Sequence, residues 1–147
     1  MWIFDSSIHK NMNSLALLMA RIVVGGIMLT HGLQKYYMLM EGAPIKFPDP
    51  IHIGAGPTLV LVVFAELVCS ALLIIGFATR IVTLPLVINM AVIVFVVHGH
   101  EGLEGQELPI LYLLIYVLLL ITGSGKYSVD RIIPRKKKYI FGSNLRK

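Results

Sequence analysis

The chain has 147 residues, of which 56% are hydrophobic and 14% charged, with a net charge of +5 and a mean hydropathy of +0.80. Water-soluble domains carry about a quarter charged residues, so a solvated globular surface is excluded and a membrane protein is expected. Four helical spans of about 20 residues each would use nearly the whole apolar complement, leaving no room for a separate catalytic domain.

In chain order, residues 1–14 form a polar, interfacial N-terminal segment, and Asn11, Asn13 and Ser14 can cap the first span at residues 15–34, apolar apart from Arg21 and His31. The run is too long for a signal-peptide core and meets no small-residue cleavage site, so it is expected to stay in the mature protein. Between Tyr36 and Pro57, four prolines (Pro44, Pro48, Pro50, Pro57) and the glycines Gly42, Gly54 and Gly56 break helical pattern, and a long loop is expected. The second span covers residues 57–77, with Pro57 at its start and Glu66, Cys69 and Ser70 as its polar interruptions. Only Ala78, Thr79 and Arg80 separate it from the third, residues 81–97, which contains Pro85 and Asn89, so the two form a tight antiparallel hairpin. A polar loop from His98 to Glu107 leads to a short fourth span at residues 108–122, stopped by Gly123, Ser124 and Gly125 and short enough to suit a locally thinned bilayer. The four spans make residues 15–125 an all-α, four-transmembrane-helix bundle, followed by a basic tail over residues 126–147.

The basic residues set the orientation. Lys10, Arg80, Lys126, Arg131, Arg135, Lys136, Lys137, Lys138, Arg146 and Lys147 fall on one side and only Lys35 and Lys46 on the other, which makes both termini cytoplasmic. The run Arg135, Lys136, Lys137 and Lys138, flanked by Ile132, Ile133, Tyr139 and Phe141, suits an anionic lipid leaflet and not nucleic acid.

A charge in hydrocarbon costs about 2.5–3.5 kcal/mol even on insertion scales, so Arg21 and Glu66 need partners, and each is the expected partner of the other. Arg21 lies about 10 Å and Glu66 about 16 Å from the inner ends of their spans, a gap two long side chains close. Gly25 and Gly26 allow a close helix approach on one side of this seam, and Cys69 and Ser70 are small on the other. Arg21, Gly25, Met28, Gly32 and Lys35 share a stripe about 80° wide, with His31 at its edge. Two readings stand side by side: a buried ion-pair staple that fixes register, with His31 and Lys35 snorkelling, and a ligand pocket lined by Arg21, His31, Lys35 and Glu66.

Weaker candidates surround this core. Tyr112 and Tyr116 share a face of the fourth span and Asn89 is a polar group at mid-span; aromatic belts and helix packing account for the tyrosines, and a helix-to-helix hydrogen bond for Asn89, more readily than ligand contact does. His31 and His98 end two spans on one side, as paired haem ligands would, yet outer-surface solvation accounts for them and haem is not expected. His98, His100, Glu101 and Glu104 match no metal-ligand spacing, and no metal site is expected. The single cysteine, Cys69, allows no intrachain disulfide, and no covalently bound cofactor is expected.

Arg21, His31-Gly32-Leu33-Gln34-Lys35, Glu66, Gly76-Phe77-Ala78-Thr79-Arg80, Gly105-Gln106-Glu107 and Gly123-Ser124-Gly125-Lys126-Tyr127-Ser128-Val129-Asp130 together resemble the DoxX family of small bacterial and archaeal membrane proteins. The resemblance runs from about Ser14 to Asp130; the proline-rich first outer loop and the basic tail depart from it. It implies a multi-pass protein of a bacterial-type inner membrane. Relatives serve as membrane subunits of quinone-linked sulfur oxidoreductases or belong to complexes answering oxidative and thiol stress. The family's polar positions fall here on Arg21, His31, Lys35, Glu66, Arg80, Glu107 and Asp130, with Arg80 expected to hold the last carbonyls of the second span. The function expected is that of a quinone-interacting membrane subunit of an oxidoreductase or redox-stress complex, dependent on a protein partner for its redox centre. A non-catalytic scaffold and a small solute transporter are the rivals, and Gly25 and Gly26 leave a homo-oligomer open.

Overall fold

A backbone crossing hydrocarbon must satisfy its hydrogen bonds within itself, and a helix is the local way to do so. The computed structural model describes residues 10–42, 45–99 and 102–132, and among these residues every regular element is helical. Among the described residues, four helices are long and apolar enough to cross a membrane: α1 (Lys10–Met40), α2 (Ala55–Ile75), α3 (Thr79–Val97) and α4 (Leu103–Thr122). A single turn, α5 (Val129–Ile132), follows. Large apolar side chains also point outward, among them Ile81, Phe95, Leu103 and Ile121, as a lipid-facing surface requires.

Several boundaries differ from the sequence expectation: α1 is already helical at Lys10, so Asn11, Asn13 and Ser14 lie inside it rather than capping it, and α2 begins at Ala55, two residues ahead of Pro57. Helix α1 does not stop near Gln34 but runs to Met40, where Glu41 N–H closes the last turn on Tyr37 O, because the first breaker is Gly42 at φ +65°. Helix α4 starts at Leu103, directly after Gly102 at φ +75°, so Glu104, Gln106 and Glu107 are helical rather than loop. Its 20 residues span about 30 Å, and the expected thinning of the bilayer falls away. Pro109 is thereby interior rather than at the first turn. The α2–α3 connection is Gly76, Phe77 and Ala78: Gly76 at φ +71° ends α2, with Gly76 N–H to Leu73 O and Phe77 N–H to Leu72 O, a paired closure that uses two otherwise orphaned carbonyls.

The helices run up and down in order, each packed on the next, and α4 closes back on α1. Val24, Met28, Leu73, Leu86, Met90 and Leu119 fill the centre. Two wide π turns interrupt the regular winding, at Phe64–Cys69 in α2 and Ile93–Val97 in α3. Such turns insert an extra residue and re-aim the side chains around them. The first of them is where α1 comes closest. A Cβ on Gly32 would sit 2.7 Å from Glu66 C and from Leu67 N, and one on Gly25 would sit 2.7 Å from Ile74 Cγ1. The close seam is therefore Gly25 with Gly32, seven residues apart on one face; Gly26, expected to share it, meets nothing within 4 Å.

Gly32→Ala forces a methyl against backbone that cannot give way and should destabilise the detergent-solubilised protein by about 1–3 kcal/mol. Gly26→Ala meets open space and should be neutral or stabilising by up to about 1 kcal/mol, the helix-propensity gain. Thermal unfolding of the two variants beside wild type checks the contrast.

Candidate functional site

Arg21 is fully buried, at 0% exposure, but it does not meet Glu66. Its guanidinium lies at the end of α2, where Nη2 donates to Tyr127 O, beside Asp130. A side chain on Gly76 would occupy the same place: its Cβ would fall 2.1 Å from Arg21 Nη1. The segment after α4 folds back to complete this arrangement. Asp130 accepts from Ala78 N–H (2.5 Å) and Thr79 N–H (2.9 Å), the first free donors of α3, and its own N–H donates to Gly76 O at 3.1 Å. A carboxylate over a helix N-terminus and a guanidinium over a helix C-terminus both complement the helix dipoles. Burial alone would raise the Asp130 carboxyl, but the hydrogen bonds from the Thr79 and Ala78 amides, with the Thr79 and Ser124 hydroxyls nearby, outweigh it and hold it below the usual carboxylate range. Ala78 keeps a left-handed backbone, φ +47°, which a non-glycine residue adopts only where its surroundings hold it. Arg80 joins the same end, yet its Nη2 donates to Ile121 O at 3.1 Å. The carbonyl it holds thus belongs to the fourth span, not the second, because the hairpin turn swings Arg80 toward α4.

The opposite end holds a second cluster of polar side chains. Lys35 forms the ion pair with Glu66 that the sequence reading assigned to Arg21. The reason is depth: Lys35 stands less than one turn beyond Gly32, which touches the Glu66 backbone, whereas Arg21 lies about three turns away. Asn89 Nδ2 donates to the same carboxylate oxygen, Glu66 Oε1, at 3.0 Å. Three helices thus converge on one carboxylate, itself 1% exposed.

Beside this cluster, a cavity of about 470 Å³ opens between α2 and α3, with Lys35, Asn89, Thr58 and His98 as its polar lining and Leu61, Val62, Ile88 and Val92 among its apolar walls. Both π turns contribute to it, through Phe64, Ala65, Ile93 and Val97. The proline-rich loop forms the roof with Phe47, Pro48, Pro50 and Ile51, and the Lys35 ammonium lies 5.9 Å from the centre of the Phe47 ring. Asp49 ties this roof to α2, accepting from Ile53 N–H (3.2 Å), Gly54 N–H (2.7 Å) and the Thr58 hydroxyl (2.8 Å). The Thr58 hydroxyl foremost, against the opposing effect of desolvation and with help from the two amides and His52, keeps the Asp49 carboxyl below its ordinary range.

The remaining expected residues divide. His31 is exposed and lies outside the cavity lining. Tyr116 is fully buried and stacks on Tyr112, ring centres 6.2 Å apart, within the core rather than against the cavity. Gln106 donates from Nε2 to His98 O at 2.6 Å, which closes the end of α3. Arg135, Lys136, Lys137 and Lys138, with His100 and Glu101, lie outside the described residues. Sequence reasoning missed Asp49, Thr58, Phe47 and His98 as parts of one site. The clue was present in the Asp49-Pro50 pair ahead of Gly54 and Pro57, a turn signature that fastens a loop onto a helix start.

A family model for DoxX matches residues 16–99. The chain belongs to the DoxX family. The DoxX match takes in Arg21, Gly32, Lys35, Glu66 and Asn89, and so both halves of the ion-pair cluster. Among relatives, an uncharacterised protein of Haemophilus influenzae is 31% identical over 130 residues, covering 84% of this chain and 86% of its own length. An uncharacterised membrane protein of Mycobacterium tuberculosis is 28% identical over 131 residues, covering 79% of this chain and 80% of its own. No solved structure matches.

Because the Asp130 carboxyl is held low in the folded protein, its stabilisation is complete above the ordinary carboxylate range and is lost as pH falls through that range to the lowered value. Wild type should therefore lose thermal stability on acidification more steeply than Asp130→Asn. Unfolding temperatures of the two proteins across a pH series give the comparison; parallel curves would remove Asp130 from the account.

Proposed function

We propose that this DoxX protein is a quinone-interacting subunit of a bacterial-type inner membrane, passing reducing equivalents from a protein partner into the lipid-soluble pool, with both termini cytoplasmic. The observation that carries the reading is the cavity between α2 and α3: apolar on its walls, with a lysine ammonium and a carboxamide beside a buried carboxylate. Its volume, about 470 Å³, lies within the range of about 300–1,000 Å³ usual for small-molecule sites. The residues fit a quinone in kind. Leu61, Val62, Ile88 and Val92 suit an aromatic ring and an isoprenoid tail, while Lys35 and Asn89 suit carbonyl oxygens.

A bound quinone supplies two-electron carrier chemistry between a donor protein and the membrane. The chain's own part is binding and proton management. Lys35 Nζ offers N–H donors to a carbonyl oxygen, the Asn89 amide orients the Glu66 carboxylate, and Glu66 holds or releases a proton beside them. Phe47, Pro48 and Ile51 exclude water from above. The loop roof is tied down by Asp49 at the loop end, so access runs sideways between α2 and α3, the side from which a lipid-soluble molecule arrives.

The competing account makes the Lys35–Glu66 pair a staple that fixes helix register. Lys35→Met with Glu66→Gln removes both charges together and avoids leaving one buried and unpaired. Protein purified in mild detergent is extracted with organic solvent and its quinone measured by mass spectrometry. Wild type should carry near-stoichiometric quinone and the folded double variant only the trace that micelles carry. Equal trace amounts in both would end the quinone reading and leave the staple.

A further inference from the structure

At the end of the bundle held by Arg21, the segment after α4 does more than close the hairpin. Together with Ile75, the last residue of α2, it forms a concavity of about 470 Å³. Two cationic side chains, Lys126 and Arg131, line it beside apolar Ile75, Val129 and Ile132. The charge there is uncompensated. Lys126 Nζ donates to the neutral Asn11 Oδ1, Arg131 is exposed, and among the described residues neither stands in a salt bridge. Asp130 is the one carboxylate of residues 123–132, but its two oxygens are committed to the Ala78 and Thr79 amides, and it does not line the concavity. A third cation lies behind. Arg21, fully buried, donates Nη2 to Tyr127 O, while its Nε and Nη1 have no hydrogen-bond partner among the described residues. Three cations around one inward-turned carboxylate make a field that attracts an anion.

The apolar half of the lining says which anion. Ile132 is 80% exposed, Ile75 53% and Tyr127 51%, a surface that offers nothing to a dissolved ion and much to a hydrocarbon chain. Ile75 ends a membrane span, so the concavity lies where headgroups meet acyl chains, the level at which a tyrosine's amphipathic ring also belongs. Basic pockets at the ends of spans take anionic lipid headgroups. We propose that Lys126 and Arg131, with Ile75, Tyr127 and Ile132, form a seat for one anionic phospholipid, its phosphate on the two cations and an acyl chain along the isoleucines. The seat is separate from the cavity between α2 and α3 and from the basic run of residues 135–138. A lipid held there bridges the end of α2 and the closing segment, and so reinforces the contact of Arg21 with Tyr127.

The full chain, stripped of lipid in mild detergent, is titrated with phosphatidylglycerol or phosphatidylcholine, and bound lipid is counted by native mass spectrometry. Wild type should retain one phosphatidylglycerol in preference to phosphatidylcholine. A basic residue at a charged lipid surface contributes about fivefold in affinity, so Lys126→Gln/Arg131→Gln should bind phosphatidylglycerol about 25-fold more weakly. Lys136→Gln/Lys137→Gln removes the same charge from the tail and should keep the wild-type affinity. Ile132→Glu sets a carboxylate in the lining at an exposed position; it should also weaken binding, and it decides the test if the first variant does not fold. Glycerol 3-phosphate, a phosphate without acyl chains, should not displace the lipid at equal concentration. Equal weakening in the two double variants would reduce the effect to diffuse charge, and displacement by glycerol 3-phosphate would reduce it to a free-anion site. Either result, wild-type affinity in Ile132→Glu, or no preference for phosphatidylglycerol in wild type, overturns the proposal.

Discussion

An ionised group inside four apolar helices must be neutralised where it stands, and this bundle meets that demand at two depths with different chemistry. At one end a carboxylate gathers a lysine from α1 and an asparagine from α3 onto a single oxygen. That convergence needs α1 to touch α2, which Gly32 permits by having no side chain, and it needs Glu66 to turn toward both neighbours, which the π turn around it supplies. The glycine, the wide turn and the ion pair are therefore one device, and the cavity beside them is the space that device leaves between α2 and α3.

At the other end, the guanidinium of Arg21 is answered mainly by backbone. It lies beside Gly76 at the end of α2 and donates from Nη2 to Tyr127 O, while Asp130 supplies both a nearby negative charge and the cap of α3. The Gly-Ser-Gly-Lys-Tyr-Ser-Val-Asp segment is thus structural: its glycines allow the chain to double back, Ser128 packs against the site of Gly76, and its aspartate closes the hairpin. Dividing the intramembrane charges into a structural end and a cavity end accounts for why a small bundle keeps so many of them.

Much of this was legible in the sequence, and the misses share one physical origin. Span number and order, the α2–α3 hairpin and the stripe holding Arg21, Met28, Gly32 and Lys35 follow from hydropathy and helical periodicity, which are local. The pairing of Glu66 was misassigned because depth was counted separately from each helix end, whereas the contact of Gly32 with the Glu66 backbone sets the register and brings Lys35, not Arg21, to the carboxylate. Helices α1 and α4 are each longer than their apolar runs, since polar residues such as Glu104 and Gln106 belong comfortably to a first turn at the water boundary. The loop roof was hidden for a different reason: prolines and glycines mark where a helix cannot be, and they do not say what the loop covers. Asp49 decides that, through bonds to residues up to nine positions away.

The reach of Arg21 to Tyr127, 106 residues later in the chain, bears on how the protein is made. Spans enter the bilayer in the order of synthesis, so α1 arrives with its arginine long before the carbonyl and carboxylate that answer it exist. Until then that cation must be held by water, lipid phosphate or the insertion machinery. The α2–α3 hairpin waits likewise, its leading amides uncapped until Asp130 emerges. Closure therefore falls to a segment outside the last span that secures the first three, and a chain released before residue 127 would hold four helices without their lock.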